Sequence, residues 1–306
     1  MDARQLRFFL AVVDYGGFSK AADHLMVAQP SLSQAIAGFE RELGMPLFHR
    51  VGRGVVLSDA GKALAGPARV VLRDIDEATA VMRGLQGLRG GRVDLITLPS
   101  PGMEPLTTIL TSFARRHPDV TVNVKAGFTP QEILDSVRSG SCEIGILGAA
   151  DPTRAPDLDV IALESQPLVL ISSPDDDGPV GATVRREDLS GSRMIVSQRG
   201  SLMRALVDDV LAEGIHVTIA AEIAHRTSIL PMVLNGIGRA VMPSSWTQSA
   251  KRAGARVQRI VPESYLHVAA VTRCTHLTAP ATALMADARH YSRQVRQSAV
   301  KRTPRP

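Results

Sequence analysis

The chain has 306 residues, 44% hydrophobic but only 4% aromatic, so it exceeds one ordinary core and must fill two or three units mainly with Leu, Val, Ile and Ala. No apolar run approaches the roughly 18 residues of a membrane span, and residues 1–7 carry charges in place of a signal-peptide core, which excludes a membrane protein and predicts a cytoplasmic one. The formal charge of +5 resides in Arg293, Arg296, Lys301, Arg302 and Arg305, because setting these five aside reduces the 35 basic residues to 30, equal to the 30 acidic ones; arrangement, not bulk charge, has to decide whether nucleic acid is bound.

Leu6, Phe9, Leu10 and Val13 recur at helical spacing until Gly16 and Gly17, which predicts a first helix. Ser19 is the expected N-cap of a short second helix carrying Ala21, Ala22 and Leu25, whose small residues let another helix approach. After a turn at residues 26–28, a third helix starts near Gln29 with Pro30 in its first turn. Leu32, Ile36, Phe39 and Leu43 form its apolar stripe, and Gly44 ends it. Residues 50–57 read as a hairpin bent at Gly52 and Gly54.

Ser58 is placed to cap a long helix reaching residue 87, about 45 Å if helical throughout. Within it Leu64, Val71, Ala78 and Leu85 repeat every seven residues, with Ala68, Ile75 and Met82 four residues after the first three, as in a short coiled-coil seam. Pro67 should bend this helix or leave one hydrogen bond unmade. The seam could pack on its own domain, but flanking domains on both sides favour a helix from a second protomer.

Residues 88–92, with Gly90 and Gly91, read as a hinge-like linker. Beyond it strands alternate with helices, the pattern of an α/β region. Strands are expected at 93–98, 120–124, 144–147 and 160–163 and helices at 106–113 and 133–137. A second set begins at Leu168, with strands at 194–197, 219–221 and 239–242 and helices at 202–213 and 229–235. A strand at 266–272 and a helix at 279–291 could return the chain to the first lobe.

The helical run over residues 6–43 has the form of a helix-turn-helix, whose second helix presents its first residues to the major groove. Here these are Gln29, Pro30, Ser31, Ser33 and Gln34, off the apolar stripe, and the short or amide side chains of Gln29, Ser31, Ser33 and Gln34 are able to reach base edges or phosphates. An ordinary helical bundle with a polar outer face fits that pattern equally well. More specific is the set Phe8 to Leu10, Phe18 to Leu25, Gln29 to Ser33, Ile36, Leu43 to Phe48, Arg50, Arg53 and Leu57 to Gly61, which resembles the N-terminal pattern of LysR-type transcriptional regulators. The resemblance spans the chain in order and length and is sharp over the first sixty or so residues.

The resemblance implies a mixed fold: an α-helical winged helix-turn-helix over residues 1–58, a dimerising linker helix over 59–90, and over 91–306 a two-lobed α/β effector domain similar to periplasmic binding proteins, ending in the basic tail. It implies a dimer or tetramer on double-stranded operator DNA, answering an unidentified small molecule. It also implies backbone contacts by wing residues, for which Arg50 and Arg53 are the candidates; a solvated surface arginine is the ordinary alternative. Lys20, Arg4 and Arg41 are weaker.

No enzyme is expected. Walker, serine-elbow and complete dinucleotide-binding patterns are absent, with only a G-x-G at 236–238, and the eight histidines show no metal-ligand spacing. No cofactor or metal is expected. Cys142 and Cys274 read as small packed hydrophobes. Peroxide-sensing relatives pair two cysteines in the second lobe, whereas both of these belong to the first, so thiol sensing is not expected.

Several strands end in small polar residues just before a helix, where open α/β sheets bind ligands. Each such residue could be a mere N-cap. The family's placement of its effector between the lobes selects Ser100, Pro101, Gly102, Thr129, Ser197, Gln198, Arg199 and Thr227, with Arg199 suited to balance an anion. The competing reading is a small-molecule binding module whose N-terminal bundle only oligomerises; an enzyme is third.

Overall fold

The computed structural model describes residues 1–51, 54–85, 90–274 and 277–302. Its N-terminal unit is built by α1 (Ala3–Tyr15), α2 (Phe18–Leu25) and α3 (Gln29–Leu43), followed by the antiparallel hairpin of β1 (Phe48–Val51) and β2 (Gly54–Leu57). Gly16 and Gly44 take the left-handed conformation at the ends of α1 and α3, as their positions predicted. Leu6, Phe9, Val12, Ala21, Ala22, Leu32, Ile36, Phe39 and Leu47 close one core. Glu40 ties α3 to the hairpin by accepting the N–H groups of Leu47 (2.7 Å) and Phe48 (3.2 Å).

Two local expectations change here. The cap of α2 is Gly17, not Ser19, because the helix starts at Phe18, whose ring packs edge-on against Phe48 at 5.7 Å. The hairpin also starts earlier, with Phe48 opposite Leu57.

The linker helix α4 spans Asp59–Leu85, 27 residues or about 40 Å. Ser58 caps it: its hydroxyl donates to the Pro46 carbonyl (2.6 Å) and accepts the Gly61 N–H (3.0 Å). Gly61 is required by close approach, since a Cβ there would stand 2.2 Å from the Leu47 carbonyl oxygen. The heptad divides between two surroundings. Leu64 and Ala68, with Ala65 and Leu72, pack on the N-terminal core, whereas Val71, Ile75 and Ala78 are exposed. The early part of the predicted seam is therefore occupied by its own domain. The side chains of Met82 and Leu85 lie outside the described set.

The α/β region opens with β3 (Gly91–Thr97), so Gly91 and Arg92 are strand and not hinge: they pair with Val120 and Thr121 of β4 (Val120–Ala126). Between these strands lie α5 (Pro99–Met103) and α6 (Leu106–Arg116). After β4 come α7 (Pro130–Arg138), β5 (Ile144–Ala149) and a 15-residue strand β6 (Leu158–Ser172). The second lobe adds β7 (Thr183–Arg185), β8 (Arg193–Ser197), α8 (Leu202–Ala212), β9 (Thr218–Ile223), α9 (Ile229–Leu234), β10 (Arg239–Pro243), α10 (Thr247–Arg252) and β11 (Arg256–Val261). The chain returns through β12 (Tyr265–Arg273) and α11 (Ala279–Arg302).

One curled sheet runs β4-β3-β5-β12-β6-β10-β8-β9, with β11 on the far end of β6 and β7 beside β11. β6 joins the lobes: Leu158–Pro167 faces β12, and residues 168–172 face β10 and β11. The parallel trios β3, β4, β5 and β8, β9, β10 thus flank a shared antiparallel centre. α11 runs past the expected end at Tyr291, since no Gly or Pro interrupts it before residue 304. Two contacts hold it on β6, Tyr291 Oη to Glu164 (2.8 Å) and Ser292 Oγ to the Ala162 carbonyl (2.7 Å). Among the described residues no helix is long and apolar enough to cross a membrane.

Candidate DNA interface and effector cleft

The apolar stripe of α3 faces inward, with Leu32, Ile36 and Phe39 buried, and this turns Gln29, Pro30, Ser31 and Gln34 to solvent with Ser33 half-buried. No described protein group takes up the side chains of Gln29, Ser31 or Gln34. The N-cap position is Ala28, which offers no side-chain acceptor, and α3 has no acid in its first turn. Its first N–H groups and positive dipole end are thus open to a phosphate. The turn before it is set by Met26, a left-handed residue at φ 54° whose N–H bonds back to Asp23, a conformation rare outside glycine. Arg50 stands in β1 opposite Val55; Arg53 lies outside the described residues. Arg4 sits over the Phe8 ring at 5.1 Å and Arg41 Nε donates to the Ala37 carbonyl (3.3 Å), so both have local roles, while Lys20 is exposed.

Between the lobes, the carboxyl ends of the parallel strands enclose a cavity of about 270 Å³. Leu98, Pro101, Phe128, Pro130 and the residues 148–150 line one side, and Gly200, Ser201, Leu202, Met203 and Arg226 the other. Arg226 follows β9, is only 9% exposed, and donates from Nη1 to the hydroxyl of Ser100 (2.9 Å), a fully buried residue of α5 in the other lobe. No carboxylate among the described residues pairs with it, and burial pulls its guanidinium down to about 10.

The sequence candidates are distributed around this cavity. Pro101 lines it and Ser100 is bound to Arg226. Gly102 lies against Thr97, where a Cβ would meet Cγ2 at 3.0 Å. Thr129 lies between two lining residues and caps α7 by accepting the Glu132 N–H (3.2 Å). Ser197 is buried with a hydroxyl that has no partner among the described residues. Gln198, Arg199 and Thr227 are exposed and outside the lining. Arg226 is not among the sequence candidates, although it immediately precedes Thr227, because small polar residues at strand ends carry the capping signal and a cation beside them does not.

A larger trough, about 960 Å³, separates α1 and α4 from the first lobe. Its arginines are already matched: Arg69 with Asp14, Arg73 with Glu143 and the Gly140 carbonyl, and Arg92 with Asp94. It lies between domains, and among the described residues that line it no buried cation stands without an acidic partner. Cys142 is buried and Cys274 exposed, both in the first lobe; burial pushes the Cys142 thiol up, away from the reactive thiolate.

Residues 3–62 match the family described as bacterial regulatory helix-turn-helix protein, lysR family, and residues 86–293 match the LysR substrate binding domain. The uncharacterized HTH-type transcriptional regulator YfeR of Shigella flexneri is 29% identical over 263 residues, 85% of this chain and 83% of that protein. In fold, a full-length OxyR variant of Pseudomonas aeruginosa aligns with a TM-score of 0.69 at 21% identity, covering 96% of this chain and 95% of that one. Full-length CbnR complexed with its target DNA gives 0.66 at 22% identity, covering 95% and 100%. The chain belongs to the LysR family: it is a DNA-binding transcriptional regulator with an effector-binding domain, and not an enzyme.

Proposed function

We propose that this chain acts in the cytoplasm as a homo-oligomer that reads an interrupted palindromic operator with Gln29, Ser31, Ser33 and Gln34 of α3, with Pro30 setting the first turn and Arg50 and Arg53 of the wing gripping the backbone. Two protomers meet along the exposed face of α4 at Val71, Ile75 and Ala78. A small molecule enters the interlobe cleft beside Ser100, Pro101 and Arg226, with Gly102, Thr129, Ser197, Gln198, Arg199 and Thr227 around it, and changes how the protomers are arranged.

The observation that carries this reading is the outward polar face of α3, uncapped and unpartnered, backed by a closed apolar core. Footprinting on the DNA upstream of its own gene, with and without cell metabolites, tests it. Protection of two half-sites whose spacing or extent changes with a metabolite is expected. A protein that protects nothing under any condition would be a binding module whose N-terminal bundle only oligomerises.

A further inference from the structure

We propose that the molecule taken into the interlobe cleft is a small monocarboxylate with an apolar body, its carboxylate held by Arg226. This rests on the reading of the cleft as the effector site and adds the ligand's chemical class. Arg226 is the one charged side chain among the described residues that line the cavity, and no acid within it or beside it balances that charge. A guanidinium carries five N–H donors in a planar fork. Ser100 accepts from Nη1, and no other described protein acceptor engages the group. A buried cation that is unpaired is costly unless something compensates it, and the missing partner is an anion with two coplanar acceptor oxygens.

One positive charge matches one negative charge, which favours a carboxylate over a dianionic phosphate that would bring surplus charge into an apolar pocket. The helix starts add little further pull. The Thr129 and Ser201 hydroxyls are already engaged in capping α7 and α8 by accepting from Glu132 and Arg204, and α7 carries Glu132 in its first turn. The remaining walls, Leu98, Pro101, Phe128, Leu202 and Met203 among them, are apolar, and about 270 Å³ suits a small body. Arg226 belongs to the second lobe and Ser100 to the first, so a carboxylate bound at this bridge would reinforce the contact between lobes.

The test is thermal unfolding of the full-length protein with butyrate, benzoate, butyramide, benzamide or inorganic phosphate at matched ionic strength, for the wild type, Arg226→Gln and Ala150→Trp. Glutamine can still donate to Ser100, and Ala150 is an exposed residue of the cavity wall, so a tryptophan there fills the opening. Binding to the native fold raises Tm by mass action. At least one carboxylate is expected to stabilise the wild type while its amide and phosphate do not. Arg226→Gln should weaken that carboxylate about tenfold to a hundredfold, the range for a hydrogen bond to a charged group. The inference is overturned if the amides or phosphate stabilise as well as the carboxylates, if Arg226→Gln responds like the wild type, or if no carboxylate acts. Ala150→Trp separates this from the cleft reading. Stabilisation by neutral amides that vanishes in Ala150→Trp leaves the cleft in place and removes the anion, whereas a carboxylate response unaltered by Ala150→Trp removes the cleft itself.

Discussion

The N-terminal unit and the effector domain recognise their partners by opposite means. In the first, Gln29, Ser31 and Gln34 are neighbours on one helix, exposed and without a partner among the described residues, standing on a core that none of them enters. In the second, the cavity is collected from six separated stretches of chain, and its one charged residue among those described is buried. A surface reader of this kind can be altered one side chain at a time with the fold intact. A collected cavity exists only while β6 holds two lobes in register, so its chemistry and its stability are hard to separate.

The joint between the two regions offers the largest expected effect. Val71 and Ile75 of α4 are 40% and 38% exposed in the single chain, and in a two-fold helix pair they would be covered. Replacing both by Asp places four carboxylates in one seam, each costing several kcal/mol to desolvate without a partner (roughly). Light scattering should then report a monomer in place of the native oligomer. An unchanged mass would remove α4 as the interface.

Next in size is the core of the reading unit. Phe39 is fully buried on the inner face of α3, and Phe→Ala in a core costs about 3–5 kcal/mol. Because the cluster around it contains no effector-domain residue, Phe39→Ala should lower one calorimetric transition, abolish binding to any DNA, and leave the effector-domain transition in place. Transitions that moved together would mean the two regions are one cooperative unit.

The effector domain should in turn be marked by acid. Asp176 is a nearly buried carboxylate gripped by Arg239 (Nη2 to Oδ1, 2.9 Å), by Arg256 (3.2 Å) and by the Gly178 N–H (2.8 Å). Burial by itself would raise its carboxyl, but the Arg239 guanidinium, the Gly178 N–H and the Arg256 charge together hold it below the usual range. A lowered folded pKa contributes stability that is present above the unfolded value, about 3.9 for Asp, and is lost as pH falls through the folded value. Asp176→Asn should therefore cost the effector domain about 3 kcal/mol near neutrality, with the gap to wild type closing as pH falls below about 4. Urea melts across a pH series measure it, and a gap constant with pH would show that shape and not charge is responsible.

Local signals explain which parts could be read in advance. The stripe Leu32, Ile36, Phe39 and the terminal glycines 16 and 44 each report a helix through its own period and ends, and α1 and α3 follow them. β6 was harder to read as one element because Ser165, Gln166 and Pro167 resemble a break. Its continuity comes from β12, which pairs with Pro167 at Tyr265, and from β10 and β11 beyond. The division of the α4 heptad was equally hidden, since Leu64 and Ala68 look no different from Val71 and Ile75 until the N-terminal core covers them. Arg226 was illegible for the same reason. Arg199 offered a cation in a strand-end loop and is exposed, while Arg226 is buried only because two lobes meet over it.

The smallest effects distinguish reading from gripping within the DNA-binding unit. Gln29 is exposed at the start of α3, where its amide can pair bidentately with adenine, while Arg53, outside the described residues, is the sequence candidate for a phosphate contact. Gln29→Ala should cost roughly 1–3 kcal/mol on the operator and little on scrambled duplex, compressing the ratio between them. Arg53→Ala should weaken both DNAs and make the salt slope shallower by about one unit per protomer engaged. Titrations of both variants on both duplexes at several salt concentrations decide the matter. A Gln29→Ala loss shared equally by the two DNAs, together with an Arg53→Ala loss confined to the operator, would reverse the roles of helix and wing. Recognition would then reside in the hairpin, and the exposed face of α3 would serve to dock on the backbone.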